Sequence, residues 1–165
     1  MTTDAFDYFC PPPGTVRGLI LIRANQSALT RVDFINEAAA HHAPQPNTLT
    51  QSASHQLAEY FSGQRQHFDL PLAPAGTDFQ RRVWQALTEI SFGETCSYGE
   101  LAGRVGSKGG QRAVGAANGK NPISVIIPCH RVIGSNGKLT GYAGGIDRKQ
   151  WLLSFEADEM PFELD

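Results

Sequence analysis

The run Ser97-Tyr98-Gly99-Glu100-Leu101-Ala102-Gly103-Arg104-Val105-Gly106, followed after a short gap by Gln111-Arg112-Ala113-Val114-Gly115-Ala116-Ala117-Asn118-Gly119, decides the fold class. Ser97 and Glu100 have the spacing of a capping box, in which two side chains three residues apart satisfy the open N–H groups at a helix start. Leu101 and Val105, one turn apart, give that helix an inward face. Gly106 to Gly110 then reads as a turn, Gln111 to Asn118 as a short helix rich in small residues, and Asn118-Gly119 as its stop. Two short helices joined by a glycine-bearing turn form a helix-turn-helix. Upstream, Thr77-Asp78-Phe79-Gln80 repeats the capping-box pattern and opens a helix with Phe79, Val83, Trp84, Leu87 and Ile90 on one face.

Further toward the N-terminus the period changes. Val16 to Arg23 and Ala28 to Phe34 alternate apolar with polar residues around Asn25-Gln26-Ser27, which predicts a β-hairpin or meander. Pro44, Pro46 and Asn47 mark a loop, Thr48 to Phe61 has helical spacing with Gly63 as a stop, and Gln64 to Gly76 reads as a short strand and a linker. Downstream, Ser135-Asn136-Gly137 is a tight-turn signal, so the segment before it, carrying Cys129, is expected to be a strand that doubles back as a hairpin. Asp147-Arg148-Lys149-Gln150 is expected to cap a last helix. The fold class expected is mixed α/β (α+β). A small domain of sheet plus helix, residues 1–75 and mainly structural, precedes a mostly helical domain, residues 76–165, with the helix-turn-helix and a cysteine-bearing loop.

Composition narrows the function classes. The chain has 165 residues, 41% of them hydrophobic, enough for one compact domain or a small domain beside a larger one. No apolar run approaches the ~18 residues of a membrane span, and the N-terminus lacks a signal-peptide pattern, so a cytoplasmic protein without membrane contact is expected. Three cysteines, Cys10, Cys96 and Cys129, form an odd and sparse set that argues against a disulfide framework or structural zinc. No metal and no cofactor are expected. The net charge of −2 conceals a lopsided distribution. Residues 1–76 carry 4 basic and 6 acidic groups, residues 77–156 carry 10 and 6, and residues 157–165 carry 0 and 4. The helix-turn-helix half is therefore basic, a modest field for attracting phosphates.

Ile127-Pro128-Cys129-His130-Arg131-Val132-Ile133-Gly134 carries the chemistry. A cysteine attacks as its thiolate, and neighbouring cations or a general base lower the cost of forming that anion. The bland alternative is a small buried hydrophobe. The surrounding blocks decide between them: Arg112-Ala113-Val114-Gly115, Asn121-Pro122, the cysteine motif, Gly141-Tyr142-Ala143-Gly144-Gly145, and Trp151-Leu152-Leu153-Ser154-Phe155-Glu156. In this order and at these spacings they closely resemble the O6-alkylguanine-DNA alkyltransferases of bacterial type, also called methylated-DNA–protein-cysteine methyltransferases. The resemblance is strong from Gly76 to Glu156 and weaker before it.

The resemblance implies direct-reversal DNA repair. One alkyl group passes irreversibly from O6-alkylguanine, with O4-alkylthymine as a further candidate, to Cys129, and each molecule acts once. Double-stranded DNA containing alkylated guanine is the implied partner, bound through the minor groove by a monomer, with cooperative binding left open. His130 is implied as the base acting through a water, Glu156 as its orienter, and Asn121 as the hinge joining the helix-turn-helix to the Cys129 segment. Arg112 is implied as the finger that fills the space of the rotated nucleotide. Tyr98 crowds the target phosphate and then the guanine, Tyr142 is a stacking wall, and the Ala143 N–H donates to guanine O6. The loop through Gly144 lids the pocket, and the carbonyls of Cys129 and Val132 receive the exocyclic amine. The small side chains of Ala113, Gly115, Ala116 and Ala117 suit a narrow groove that offers little sequence code. With Asn118 and the cationic Arg131 they complete the expected DNA-contacting set.

Two other readings compete. A sensor that binds alkylguanine without repairing it would lack the cysteine, and Cys129 argues against it. A thiol hydrolase would use Cys129, His130 and Glu156, but adjacent residues on a strand point to opposite faces unless a turn intervenes.

Overall fold

The computed structural model of the chain describes residues 4–107 and 110–158. The middle of the expected turn at 106–110 and most of the acidic tail lie outside those residues. The chain divides into two compact units, Met1–Ala75 with Pro122–Ser124, and Gly76–Asn121 with Val125–Asp165.

In the first unit three antiparallel strands, β1 (Ala5–Phe9), β2 (Leu19–Ala24) and β3 (Leu29–Ile35), lie in sequence order. The alternation read between Val16 and Phe34 accounts for β2 and β3. Ile20 and Ile22 are fully buried, while Leu21 and Arg23 are less so. Strand β1 lacks that signal, since all five of its residues are half-buried and no apolar period separates its faces. The register pairs Ile22 with Val32, and a bulge at Arg23/Ala24 ends the regular ladder. Helix α1 (Thr48–Phe61) begins at an Asn47 cap whose side chain accepts from the Thr50 N–H, while the Thr50 hydroxyl accepts from the Asn47 N–H. Ala53, Leu57, Tyr60 and Phe61 form its buried face. The strand expected within 64–76 is only a bridge, Leu29 pairing with Leu72. A second parallel bridge brings Pro122–Ser124 into this unit: the Val32 N–H donates to Pro122 O (2.9 Å) and the Ser124 N–H to Val32 O (2.9 Å).

The second unit is built on α2 (Asp78–Leu87), α3 (Tyr98–Arg104), α4 (Gln111–Gly119) and α5 (Ile146–Glu156). Both expected capping boxes form, Thr77 with Gln80 and Ser97 with Glu100. Val83, Trp84 and Leu87 are buried, and the Trp84 indole N–H donates to Ala117 O at 2.8 Å, locking α2 to α4. Helix α4 ends at the expected Asn118-Gly119 stop, without a left-handed glycine. Gly119 is its last residue and Lys120 caps it at φ −96°, because the following Asn121 precedes Pro122, whose ring disfavours a helical residue before it.

Two further expectations are corrected. Cys129–Arg131 is a single 3-10 turn, not a strand, and only Val132–Ile133 (β5) is extended, paired in parallel with Cys96–Ser97 (β4). The turn after it forms, with Gly137 at φ +79° and the Gly134 N–H donating to Lys138 O, but no strand returns. Helix α5 starts after Gly145, at φ +98°, with no side-chain cap, so Asp147 lies inside the first turn instead of before it. Among the described residues no helix is long and apolar enough to cross a membrane.

Candidate active site

The 3-10 turn places Cys129, His130 and Arg131 at three successive buried positions, 5%, 0% and 6% exposed. Every residue from Asn121 to His130 is buried. The turn also removes the geometric objection to consecutive Cys and His cooperating, since strand alternation no longer governs them.

Glu156, the last residue of α5, holds this turn from outside. One of its oxygens accepts from His130 Nε2 at 2.8 Å and from Arg131 Nη2 at 3.0 Å, and the other accepts from Arg131 Nε at 2.7 Å. Burial alone would push this carboxyl up, but the charges and hydrogen bonds of His130 and Arg131 outweigh burial and hold it well below the usual carboxylate range. An ionised Glu156 fixes the imidazole tautomer: Nε2 carries the hydrogen, and Nδ1, which has no protein hydrogen-bond partner, is the basic nitrogen. Burial also pushes the His130 pKa down against the pull of Glu156, with Arg131 and Lys149 adding to the lowering, so the ring is neutral at rest.

Arg131 was expected among the DNA contacts and is instead structural. Besides Glu156 it binds Ile90 O at 2.6 Å and stacks over the Phe92 ring. A guanidinium enclosed this way cannot reach a phosphate. Asn118 and Ala117 are corrected likewise: both are buried, Asn118 Nδ2 donates to Cys129 O at 3.3 Å, and Ala117 O receives Trp84. On α4 the exposed residues are Gln111, Arg112, Ala113, Ala116 and Gly119, followed by the exposed cap Lys120, with Gly115 half-buried against the Tyr98 ring. That face is small and flat, with one cation near each end.

Burial pushes the Cys129 thiol up. Working against it are a hydrogen bond from Asn121, the charge of Lys149 and the residue's own backbone N–H. Asn121 Nδ2 also donates to Ile127 O at 2.8 Å, so this side chain ties the end of α4 to the cysteine turn. Val125, in the same connection, takes φ +69°, a strained conformation for a β-branched residue.

A groove of about 440 Å³ is lined by Tyr98, Gln111, Arg112, Gly115, Gly119, Thr140, Gly141, Tyr142 and Ala143; Cys129, His130 and Glu156 are not among its lining residues. It gathers the expected Tyr98, Arg112, Tyr142 and Ala143. Gln111, Gly119, Thr140 and Gly141 were not anticipated; the Tyr98 hydroxyl hydrogen-bonds Thr140 Oγ1 at 2.6 Å, a pairing across 42 residues that no local pattern signals. Gly144 is buried, its carbonyl accepting from Arg148 at 2.8 Å, which anchors the base of the loop. The Cys129 carbonyl already accepts from Asn118 Nδ2 and from the Val132 N–H that closes the turn, and the Val132 carbonyl accepts from Lys149.

The chain matches two family models: the 6-O-methylguanine DNA methyltransferase, DNA binding domain, over residues 78–158, and its ribonuclease-like domain over residues 15–74. A methylated-DNA–protein-cysteine methyltransferase of Methanosarcina barkeri is 48% identical over 147 residues, 87% of this chain and 93% of that one. One of Mycobacterium tuberculosis is 47% identical over 151 residues, covering 89% and 91%. Among solved structures, the M. tuberculosis OGT in complex with DNA superposes with a TM-score of 0.83 at 45% identity, covering 96% of each chain. An O6-methylguanine DNA methyltransferase from Methanococcus jannaschii gives 0.67 at 27% identity, covering 86% of this chain and 90% of that one.

Proposed function

The chain belongs to the 6-O-methylguanine DNA methyltransferase family, and from that membership and the geometry around Cys129 we propose the following reaction. The protein reverses alkylation damage directly: the alkyl group on guanine O6 in duplex DNA passes to Cys129 Sγ, and the chain is spent. The observation that carries the mechanism is the buried Glu156–His130 pair beside a cysteine, which leaves His130 Nδ1 as an oriented base.

The duplex docks its minor groove on the flat face of α4. Ala113, Gly115 and Ala116 let the backbone approach closely, while Arg112 enters the stack as the damaged nucleotide rotates out. Extrusion is required because a stacked base cannot bring its O6 substituent to a sulfur that is 5% exposed. The flipped base lies in the groove between Tyr98 and Tyr142, with the Ala143 N–H toward O6 and the Cys129 and Val132 carbonyls toward the exocyclic amine. His130 Nδ1 takes the thiol proton through a water. The sulfur lone pair then forms the S–C bond as the C–O6 bond breaks, and the electron pair left on guanine receives the proton back from the imidazolium. No redox change and no cofactor enter this balance. The thioether product is stable to water, so each molecule acts once.

The chain is read as a cytoplasmic monomer; its three free cysteines suit a reducing compartment. A sensor role is not favoured, because the acceptor sulfur is in place. Intact mass before and after incubation with an O6-methylguanine duplex, followed by peptide mapping, tests the reading. One methyl group on Cys129 per chain is expected, while turnover of many lesions by one chain, or an unmodified Cys129, refutes it.

A further inference from the structure

Lys149 has no place in the reaction above, yet it is fully enclosed, with 0% of its surface exposed. Its ammonium donates to Val132 O at 2.7 Å and to Thr140 O at 3.3 Å, joining the strand after the cysteine turn to the wall of the guanine groove. Among the described residues no carboxylate pairs with it; Glu156 is committed to His130 and Arg131. Two carbonyl dipoles solvate an ammonium without neutralising it, and a buried cation without a counter-charge is costly. The reaction itself creates a negative charge on Cys129, the first residue of the turn that ends at the Val132 whose carbonyl Lys149 holds, and the two groups interact electrostatically.

We propose that Lys149 is a positioning residue that supplies the counter-charge for the buried Cys129 sulfur anion. This rests on the alkyl-transfer reading but concerns the state of the sulfur before any guanine arrives. The charged and titratable groups at this site are Cys129, His130, Lys149, Arg131 and Glu156. Lys149 acts on two of them in useful directions: it favours loss of the thiol proton and disfavours a charged His130. The proton leaving sulfur is therefore held weakly by the imidazole and passes readily to the departing guanine. Lys149 keeps its own three protons throughout, so no atom or charge is added to the balance.

Iodoacetamide alkylation of Cys129 as a function of pH, followed by peptide mapping to separate Cys129 from Cys10 and Cys96, tests the proposal without guanine. Failure here is thus distinct from failure of the repair reading. In K149M, of similar shape without the charge, the midpoint is expected to rise by at least about one pH unit, making modification roughly tenfold slower near neutrality. K149R, which keeps a cation, is expected to move the profile back toward that of the unaltered chain. A folded K149M with a superimposable profile would overturn the proposal, as would a K149R as impaired as K149M. Should K149M not fold, magnetic resonance of isotope-labelled lysine Nζ in the unaltered chain and in C129S decides. Because coupling is reciprocal, Lys149 is expected to lose its proton at lower pH in C129S, and an unchanged titration would overturn the proposal.

Discussion

Replacing Glu156 with Gln removes one charge and almost no volume, from a side chain only 1% exposed. In the native chain its two oxygens accept three hydrogen bonds from Arg131 and His130. The amide can keep one accepting oxygen, but its NH2 group must then face a donor. Whichever oxygen is kept, Arg131 loses one of its two contacts to this side chain and its charge partner, leaving a buried guanidinium with Ile90 O and one neutral amide oxygen as acceptors. Breaking a buried ion pair by removing one partner costs about 3–5 kcal/mol. At a urea dependence of about 2 kcal/mol per molar, the unfolding midpoint should fall by roughly 1.5–2.5 M. Both tryptophans, Trp84 and Trp151, lie in the second unit, so intrinsic fluorescence reports on the unit that contains the substitution. The pH dependence has a definite sign. Glu156 is held below its unfolded value, so its contribution is complete above the ordinary glutamate pKa of ~4.3 and is lost as pH falls toward the folded value. The gap between the two chains should therefore narrow in acid. Single-turnover transfer from an O6-methylguanine duplex, followed by intact mass, should slow by about 10²-fold, as expected when a general base loses its orienting partner. An E156Q chain with an unfolding midpoint within about 0.5 M of the native one and an unchanged transfer rate would refute both the energetic and the catalytic reasoning.

Other consequences follow from the same geometry. Ala116→Leu places a large side chain on the exposed face of α4. It should leave stability within about 0.5 kcal/mol while weakening binding to duplex DNA at least tenfold; equal affinity by fluorescence anisotropy would remove that face from the DNA interface. Arg112→Ala should slow repair in duplex far more than alkyl transfer from free O6-alkylguanine base, and equal losses would refute an extrusion role. His130→Gln removes a ring that burial keeps neutral. Because the unfolded chain protonates this histidine below about pH 6.5 while the folded chain resists doing so, native stability should decline as pH falls through that value. The variant should lack that component of the decline, and identical urea-unfolding slopes against pH would contradict the depressed pKa. Trp84→Phe leaves Ala117 O without its indole donor and should cost about 1–3 kcal/mol by urea unfolding.

The elements legible in the sequence were those whose signals are local. Thr77 with Gln80 and Ser97 with Glu100 state their helix starts within four residues, and both boxes form where they were read. The cysteine segment misled for a matching reason. Val132-Ile133 and Leu139-Thr140 flank a turn signal, which is the local pattern of a hairpin, whereas the partner of β5 is Cys96–Ser97, more than thirty residues upstream. Strand β1 and the Asn47 cap have no contrast of apolar and polar faces to announce them.

Charges were the least legible feature, because residue type predicts exposure for Arg and Lys and this site inverts that rule. Arg131, Arg148 and Lys149 are buried, as is Glu156, and each is satisfied by a residue or carbonyl brought near by the fold. Removing those four from the count for residues 77–156 halves the basic excess from +4 to +2. The field that attracts DNA is accordingly weaker than composition suggests, and the salt dependence of binding should reflect Arg112, Lys120 and few other contacts. The cations withdrawn from the surface are not idle. Arg131 keeps Glu156 ionised, Glu156 fixes the tautomer of His130, and Lys149 offsets the charge on Cys129, so their electrostatic effect is concentrated on one sulfur.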